Sequence, residues 1–261
     1  MKNGIHKSSQ TLLALLLLFG SLGVTAAGDI YQIKIYLLKD AAQEAKVDHF
    51  LQAAYVPALH RAGIAKVGVF KVIGNDTAAI RKIYVFIPFK SLDQWRKIQL
   101  KLDNDAQLAT EGADYLNAAY NDVPYQRMES ILLEAFSGMT TTAVPELKGP
   151  KNERVYELRS YEGPTEKLYV NKVQMFNKGD EVGLFKRLGF NAVFYAEVIS
   201  GAHMPNLMYM TTFENMASHD QHWKSFVDDD YWKKLSAMPE YQHNVSHSDI
   251  VLMHPADYSD Y

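Results

Sequence analysis

The sequence predicts an α+β protein: two ferredoxin-like βαββαβ repeats whose antiparallel sheets pair face to face as a barrel within one chain. Three observations carry this expectation. First, four segments recur in the same order at a nearly constant offset. "YQIKIYLLKD" from Tyr31 matches "YELRSYEGPT" from Tyr156, 125 residues on, and "HRAGIAKVGVFKVIG" from His60 matches "KRLGFNAVFYAEVIS" from Lys186, 126 on. Phe89 then corresponds to Phe213 at 124, and "ESILLEAF" and "SDIVLMHP" close the two copies. Second, each copy orders its hydrophobic periods as strand, helix, strand, strand, helix, strand. Third, a sheet covered on one face by its own helices needs cover on the other, and a second copy supplies it.

The elements follow in chain order. Residues 1–27 read as a secretory leader: Lys2 and Lys7, the apolar run "LLALLLLFG", then small residues suited to cleavage after Ala26 or Ala27. The run from Leu12 to Phe19 falls short of the roughly 20 residues that span a bilayer. The mature chain is therefore expected to be exported, periplasmic or extracellular, without a transmembrane anchor. The first repeat, 28–137, opens with a strand over Ile30–Leu37 that alternates in period two. A helix follows, bent near Pro57 and stopped at Gly63. Strands about Lys66–Ile73 and Lys82–Phe89 flank the turn "GNDT", a second helix starts near Ser91, and a last strand closes the copy. Thr, Pro and Gly mark 138–151 as a linker. The second repeat, 152–258, repeats the order with strands at Val155–Tyr161, Ala192–Ile199 and Leu207–Phe213, its first helix divided at Gly179 and Gly183 and stopped at Gly189.

Composition removes several functions. The chain has no cysteine, which excludes disulfides, thiolate catalysis and Cys-ligated zinc. A net charge of −3 and the lack of a basic stripe interleaved with aromatics give no footing for nucleic acid. No GxSxG, P-loop, GxGxxG at a strand-to-helix turn or paired glycosidase-type carboxylates occur, so no catalytic residue is assigned.

Candidate ligand-binding residues come from the first strand of each copy. Tyr31, Ile33 and Ile35, with Tyr156, Leu158 and Ser160, share one face; Gln32, Lys34 and Tyr36, with Glu157, Arg159 and Tyr161, share the other. The apolar set is expected under the helices and the polar set between the sheets. There Arg159 and Lys34 would hold an anion while Tyr36 and Tyr161 orient a carbonyl or phenolate of a small organic ligand, with Glu157 pairing Arg159. The alternative is a structural ion pair in a packed barrel that serves as an envelope protein-interaction module or homo-oligomer. Haem or metal handling has weak candidates in His243 and His247, i, i+4 if that stretch is helical. His219 and His222 share a helix face but lack a third ligand, and "DDDYW" lacks calcium-loop spacing, so "SHDQHWKSFVDDDYWKKL" reads as a packing helix ended by aspartates. Asn75 and Asn244 fit glycosylation acceptors.

"RVYELRSYEG", "FKRLGF" and "NLMYMTTFENMASHDQHWKSFVDDDYWKK" together resemble the NIPSNAP family over about 152–258, and the first copy does so more faintly. The specific parts are Tyr156, Glu157, Leu158, Arg159 and Tyr161 in the strand, and Trp223, Phe226, Asp229 and Trp232 in the helix. His219 stands where the family often has arginine, and copy one has Lys34 for the strand arginine and only Trp95. The resemblance implies a dimeric α/β-barrel fold, shared with small monooxygenases, haem-degrading proteins and lactone isomerases. It implies no cofactor and no common reaction; any catalysis would be cofactor-independent monooxygenase- or isomerase-like.

Overall fold

The structure, a computed structural model, describes residues 28–261; the leader expected over 1–27 lies outside them. The first repeat comprises β1 (Ile30–Leu38), α1 (Ala41–Phe50), α2 (Val56–Ala62), β2 (Gly68–Val72), β3 (Arg81–Phe89), α3 (Leu92–Asp103), α4 (Ala106–Glu111), α5 (Ala113–Leu116) and β4 (Arg127–Ala135). The second comprises β5 (Val155–Glu162), α6 (Glu166–Asn177), α7 (Glu181–Arg187), β6 (Asn191–Ser200), β7 (Asn206–Phe213), α8 (Met216–Asp228), α9 (Asp230–Ser236) and β8 (His247–Pro255). Among the described residues no helix is long and apolar enough to cross a membrane.

Matching local chemistry starts the helices of both copies. Asp40, Ser91, Thr165 and Asn215 each accept a hydrogen bond from the backbone N–H three residues on, satisfying donors that the first turn leaves open. Gly63 and Gly189 end the first helical layer in left-handed conformation, at φ 109° and 78°, where a Cβ would be strained. Pro57 cannot donate and crowds the preceding turn, so the ladder slips to a π-helix over Leu51–Tyr55 between α1 and α2. In copy two the corresponding break lies between α6 and α7, at Gly179 and Asp180.

All eight strands close into one barrel in the order β1-β3-β2-β8-β5-β7-β6-β4, every neighbouring pair antiparallel. The two four-stranded sheets meet at short seams: three residue pairs join β2 to β8, and four join β4 to β6. The expected linker is packed against the barrel. Ala143 N–H donates to the Val193 carbonyl, Leu147 is buried in the interior cluster, and the Glu214 carboxylate accepts from the Lys148 and Gly149 N–H groups. After β8 the chain returns to the first repeat, where Ala256 and Asp260 N–H donate to Val69 and Val67.

The barrel interior corrects the face assignment. It is filled by Tyr31, Ile33 and Ile35 together with Tyr156 and Leu158, the set expected under the helices, joined by Phe70, Phe86, Phe194, Met208, Met210 and Met253. Phe86 and Phe194, from opposite sheets, stack with centroids 5.0 Å apart, and Tyr31 lies 5.4 Å from Phe194. An eight-stranded barrel has just enough room for side chains, so these aromatics leave a packed core where a polar cavity was expected. Both glycosylation candidates are also corrected: Asn75 and Asn244 are buried, Asn75 accepting from Lys82 N–H at 2.7 Å and Asn244 donating to Asn171.

Candidate functional site

Lys34 and Tyr36 lie beneath the first repeat's helices, and Glu157, Arg159 and Tyr161 beneath the second's. The two groups sit on opposite outer faces of the barrel and do not converge. Strand alternation had correctly separated the side chains into two sets; it was the cover over each set that was misassigned.

The second repeat holds the richer arrangement. Glu157 is fully buried, and its charge is met on three sides. Arg159 Nε donates to Oε1 at 2.7 Å, Trp223 Nε1 donates to Oε2 at 2.5 Å, and His219 Nε2 lies 3.3 Å from Oε2. The Arg159 guanidinium also lies over the Trp223 ring, 3.6 Å from its centroid. From Arg159 a polar chain continues: Nη1 donates to Tyr161 Oη at 3.2 Å, and Tyr161 Oη lies 2.9 Å from Tyr209 Oη. Burial works against the Arg159 charge, but Tyr209, Tyr161 and Glu157 outweigh it and hold its pKa above the usual arginine value. Burial, and then the neighbouring Tyr161, raises the Tyr209 phenol well above its ordinary value, so Tyr209 is a neutral hydroxyl at pH 7.

A pocket of about 390 Å³ opens beside this chain, lined by Arg159, Tyr161 and Tyr209 from the sheet and Phe185, Trp223, Phe226, Val227 and Trp232 from the helices. Lys172 and Glu181 close its polar side as a buried ion pair of 2.9 Å across the break between α6 and α7. The Lys172 ammonium also lies 4.7 Å from the Phe176 centroid and 5.9 Å from that of Trp232. A wider groove of about 570 Å³ runs between the linker and α7, lined by Met139, Val144, Phe190 and Tyr195 with Glu146 and Lys186, and has no comparable convergence of polar groups.

The first repeat has the same frame without the same site. By register Val85 opposes Lys34 as Tyr209 opposes Arg159, and Val69 opposes Val85 as Tyr195 opposes Tyr209. Lys34 Nζ meets Tyr55 Oη at 3.3 Å and lies over the Tyr55 ring, 4.6 Å from its centroid; among the described residues no carboxylate pairs with it. Burial lowers its pKa to about 8. Phe50 and Tyr115 stack at 3.8 Å, and Tyr36 packs edge-on to Tyr115 and Tyr125, so aromatic rings occupy the space that is open in copy two.

Sequence reasoning missed His219, Trp223, Trp232, Lys172, Glu181 and Tyr209. The helix run "SHDQHWKSFVDDDYWKKL", read as packing alone, instead supplies one wall of the pocket and two of the three partners of Glu157. Tyr209 could have been found, because it shares strand parity with Leu207 and Phe213 on the helix-covered face. Lys172 and Glu181 are nine residues apart across a helix break, and no local period links them. The aspartates do divide the helix as expected: Asp229 ends α8, caps α9 and pairs with Arg187 at 2.9 Å. Asp105 likewise caps α4 and pairs with Arg61 in copy one, which makes it the counterpart of Asp229. His243 and His247 do not share a helical face: His243 is in a left-handed turn at φ 58°, and His247 begins β8.

No family model matches the sequence, and no curated relative matches it significantly. Solved structures do. A putative monooxygenase from Lactobacillus acidophilus NCFM is 14% identical, covering 87% of this chain and 94% of its own, with a TM-score of 0.53. A second putative monooxygenase, from Fusobacterium nucleatum, is 6% identical over 88% of this chain and 93% of its own, at 0.58. An anthrone oxidase-like protein is 8% identical over 89% and 93%, at 0.51. The chain shares its fold with these proteins. A NIPSNAP-like domain protein from Burkholderia xenovorans, 11% identical, aligns over 41% of this chain and 89% of its own, with a TM-score of 0.37.

Proposed function

We propose that the chain is an exported protein that binds one flat, oxygen-bearing aromatic or enolic molecule in the pocket of its second repeat. The observation that carries the reading is the chain Arg159, Tyr161, Tyr209, which ends in a pocket walled by Phe185, Trp223, Phe226 and Trp232. Aromatic walls select a planar body, and a guanidinium with two phenols selects an acceptor or anionic oxygen at its edge. The same donors would stabilise negative charge developing on a bound carbonyl, which is what cofactor-independent oxygenation or isomerisation of an enolisable substrate requires. Export rests on the leader pattern of residues 1–27.

Two of the three tryptophans line the pocket, so hydroxy-aromatic acids titrated against the purified chain should quench its fluorescence with a stoichiometry of one. Tyr161→Phe should weaken that binding by about tenfold, the value of one lost polar contact to a charged group, while leaving the unfolding midpoint nearly unchanged. Ligand capture that is indifferent to Tyr161→Phe, or two equivalents per chain, would overturn the assignment. The filled barrel interior favours one other reading, an envelope protein-interaction module, which predicts a protein partner and no retained small molecule. N-terminal sequencing of the mature protein tests export: a start at Ala27 or Gly28 is expected.

A further inference from the structure

The interior face of the barrel changes character at one mouth. Four antiparallel steps separate β1 from β5, so the two strands run in the same sense and their C-terminal ends open at the same mouth. Interior parity along β5 runs Tyr156, Leu158, Ser160, Glu162; along β8 it runs Met253, Val251, Asp249, His247. Glu162 pairs with His247 on one side and Asn206 on the other, and Ser160 pairs with Asp249, so an apolar interior ends in a polar tier.

Ligand-type atoms of Glu162, His247 and Asp249 all lie within 4.8 Å of one another, and His247 Nε2 is 3.1 Å from Asp249 Oδ1. His203 Nδ1 approaches Glu162 Oε1 at 3.1 Å. Asn206 supplies an independent sign. Only 1% exposed, it donates through Nδ2 to Ser160 Oγ at 2.7 Å, while its Oδ1, in the row beside Glu162, has no partner among the described residues. A buried acceptor without a donor is costly, so the row beside Glu162 carries an unmet acceptor.

We propose that this mouth binds a single divalent transition-metal ion of the zinc class through Glu162, His247 and Asp249. One imidazole nitrogen with two carboxylates is a borderline donor set that suits zinc, whereas calcium takes six to eight oxygens. Bonds of about 2.0–2.1 Å in a tetrahedral site put neighbouring ligand atoms about 3.3–3.5 Å apart. The His247 to Asp249 separation already approaches that edge length. The first repeat places Leu37, Arg127 and Glu129 at the register positions of Glu162, His247 and Asp249, with Lys82 at that of Asn206; one carboxylate beside two cations does not make a cation site, so the ion belongs to one repeat only. The site is separate from the organic pocket, because Arg159 and Tyr161 occupy the other face of β5.

Titration calorimetry of the purified, untagged chain with Zn²⁺, and with Ca²⁺ and Mg²⁺ for comparison, tests the proposal. One Zn²⁺ per chain is expected, selective over both other ions. Co²⁺ in its place should give the visible absorption of a low-coordinate site. His247→Ala and Asp249→Asn should each weaken Zn²⁺ by more than the about tenfold that loss of a supporting group costs, while His243→Ala leaves it unchanged. Both positions are exposed, and metal-free unfolding midpoints equal to the parent's would show that the variants fold. Absence of saturable Zn²⁺ binding, binding that survives the His247→Ala/Asp249→Asn double variant, or equal affinity for Ca²⁺ would overturn it.

Discussion

Glu157 shows how one side chain ties stability to the site. A carboxylate with no exposed surface persists because Arg159, Trp223 and His219 surround it. Removing it strands a buried guanidinium, so Glu157→Ala should cost about 3–5 kcal/mol in urea unfolding. Arg159→Ala would strand the carboxylate in turn, which makes it a poor probe of binding; Tyr161→Phe keeps the ring and is the cleaner one. Lys34 is the opposite case, a cation with no carboxylate partner among the described residues. Burial lowers its pKa from 10.5 to about 8, so between those values the unfolded chain binds the proton more tightly. The folded state bears the cost in full below pH 8 and is relieved of it as pH rises towards 10.5. Lys34→Met should therefore stabilise the protein at pH 7, on the order of 3 kcal/mol, and its advantage over the parent should narrow through that window. A constant advantage from pH 6 to 10 would rule out this account.

At the scale of elements, the junction of α8 and α9 positions the aromatic wall. Asp229 turns the chain, accepts from the Tyr231 and Trp232 N–H groups and pairs with Arg187, which, as the leading cause, holds its carboxyl down at about 2. Asp229→Ala should lower the melting temperature and loosen Trp232, seen as a red-shifted, more quenchable emission. Asp229→Asn should do less, since asparagine caps equally well. The strand elements were legible because their apolar and polar residues alternate, and their caps and glycine stops recur in both copies. The pocket was less legible. Period two groups Glu157, Arg159 and Tyr161 together but is the same whether a helix or another sheet covers them. Trp223 and Trp232 were assigned to packing for a related reason: amphipathic spacing identifies the face that is covered and not whether the cover leaves a gap.

Across the whole molecule, the interior cluster draws on strands of both repeats, so neither sheet has a complete core alone. Thermal unfolding should show one cooperative transition, and the 28–137 segment expressed separately should aggregate or self-associate, as size-exclusion chromatography would show. The seams of three and four residue pairs are the weakest parts of the closed sheet. Amides there should exchange with solvent before those of β1 and β3, which pair along nine residues. A resolved two-step transition would mean that the repeats are independent.

The sequence by itself determined the repeat, the order of its elements, the barrel they build and the pairing of Glu157 with Arg159, because each follows from local periodicity, local capping or a two-residue spacing. The tertiary structure alone decided which strand face met the partner sheet, which of two equivalent sites stayed open, and that Glu162, His247 and Asp249 share one mouth. Those outcomes depend on register and packing volume between segments about 80 residues or more apart, where rings as large as Phe86 and Phe194 take the barrel interior and leave the polar chemistry to the helix layer.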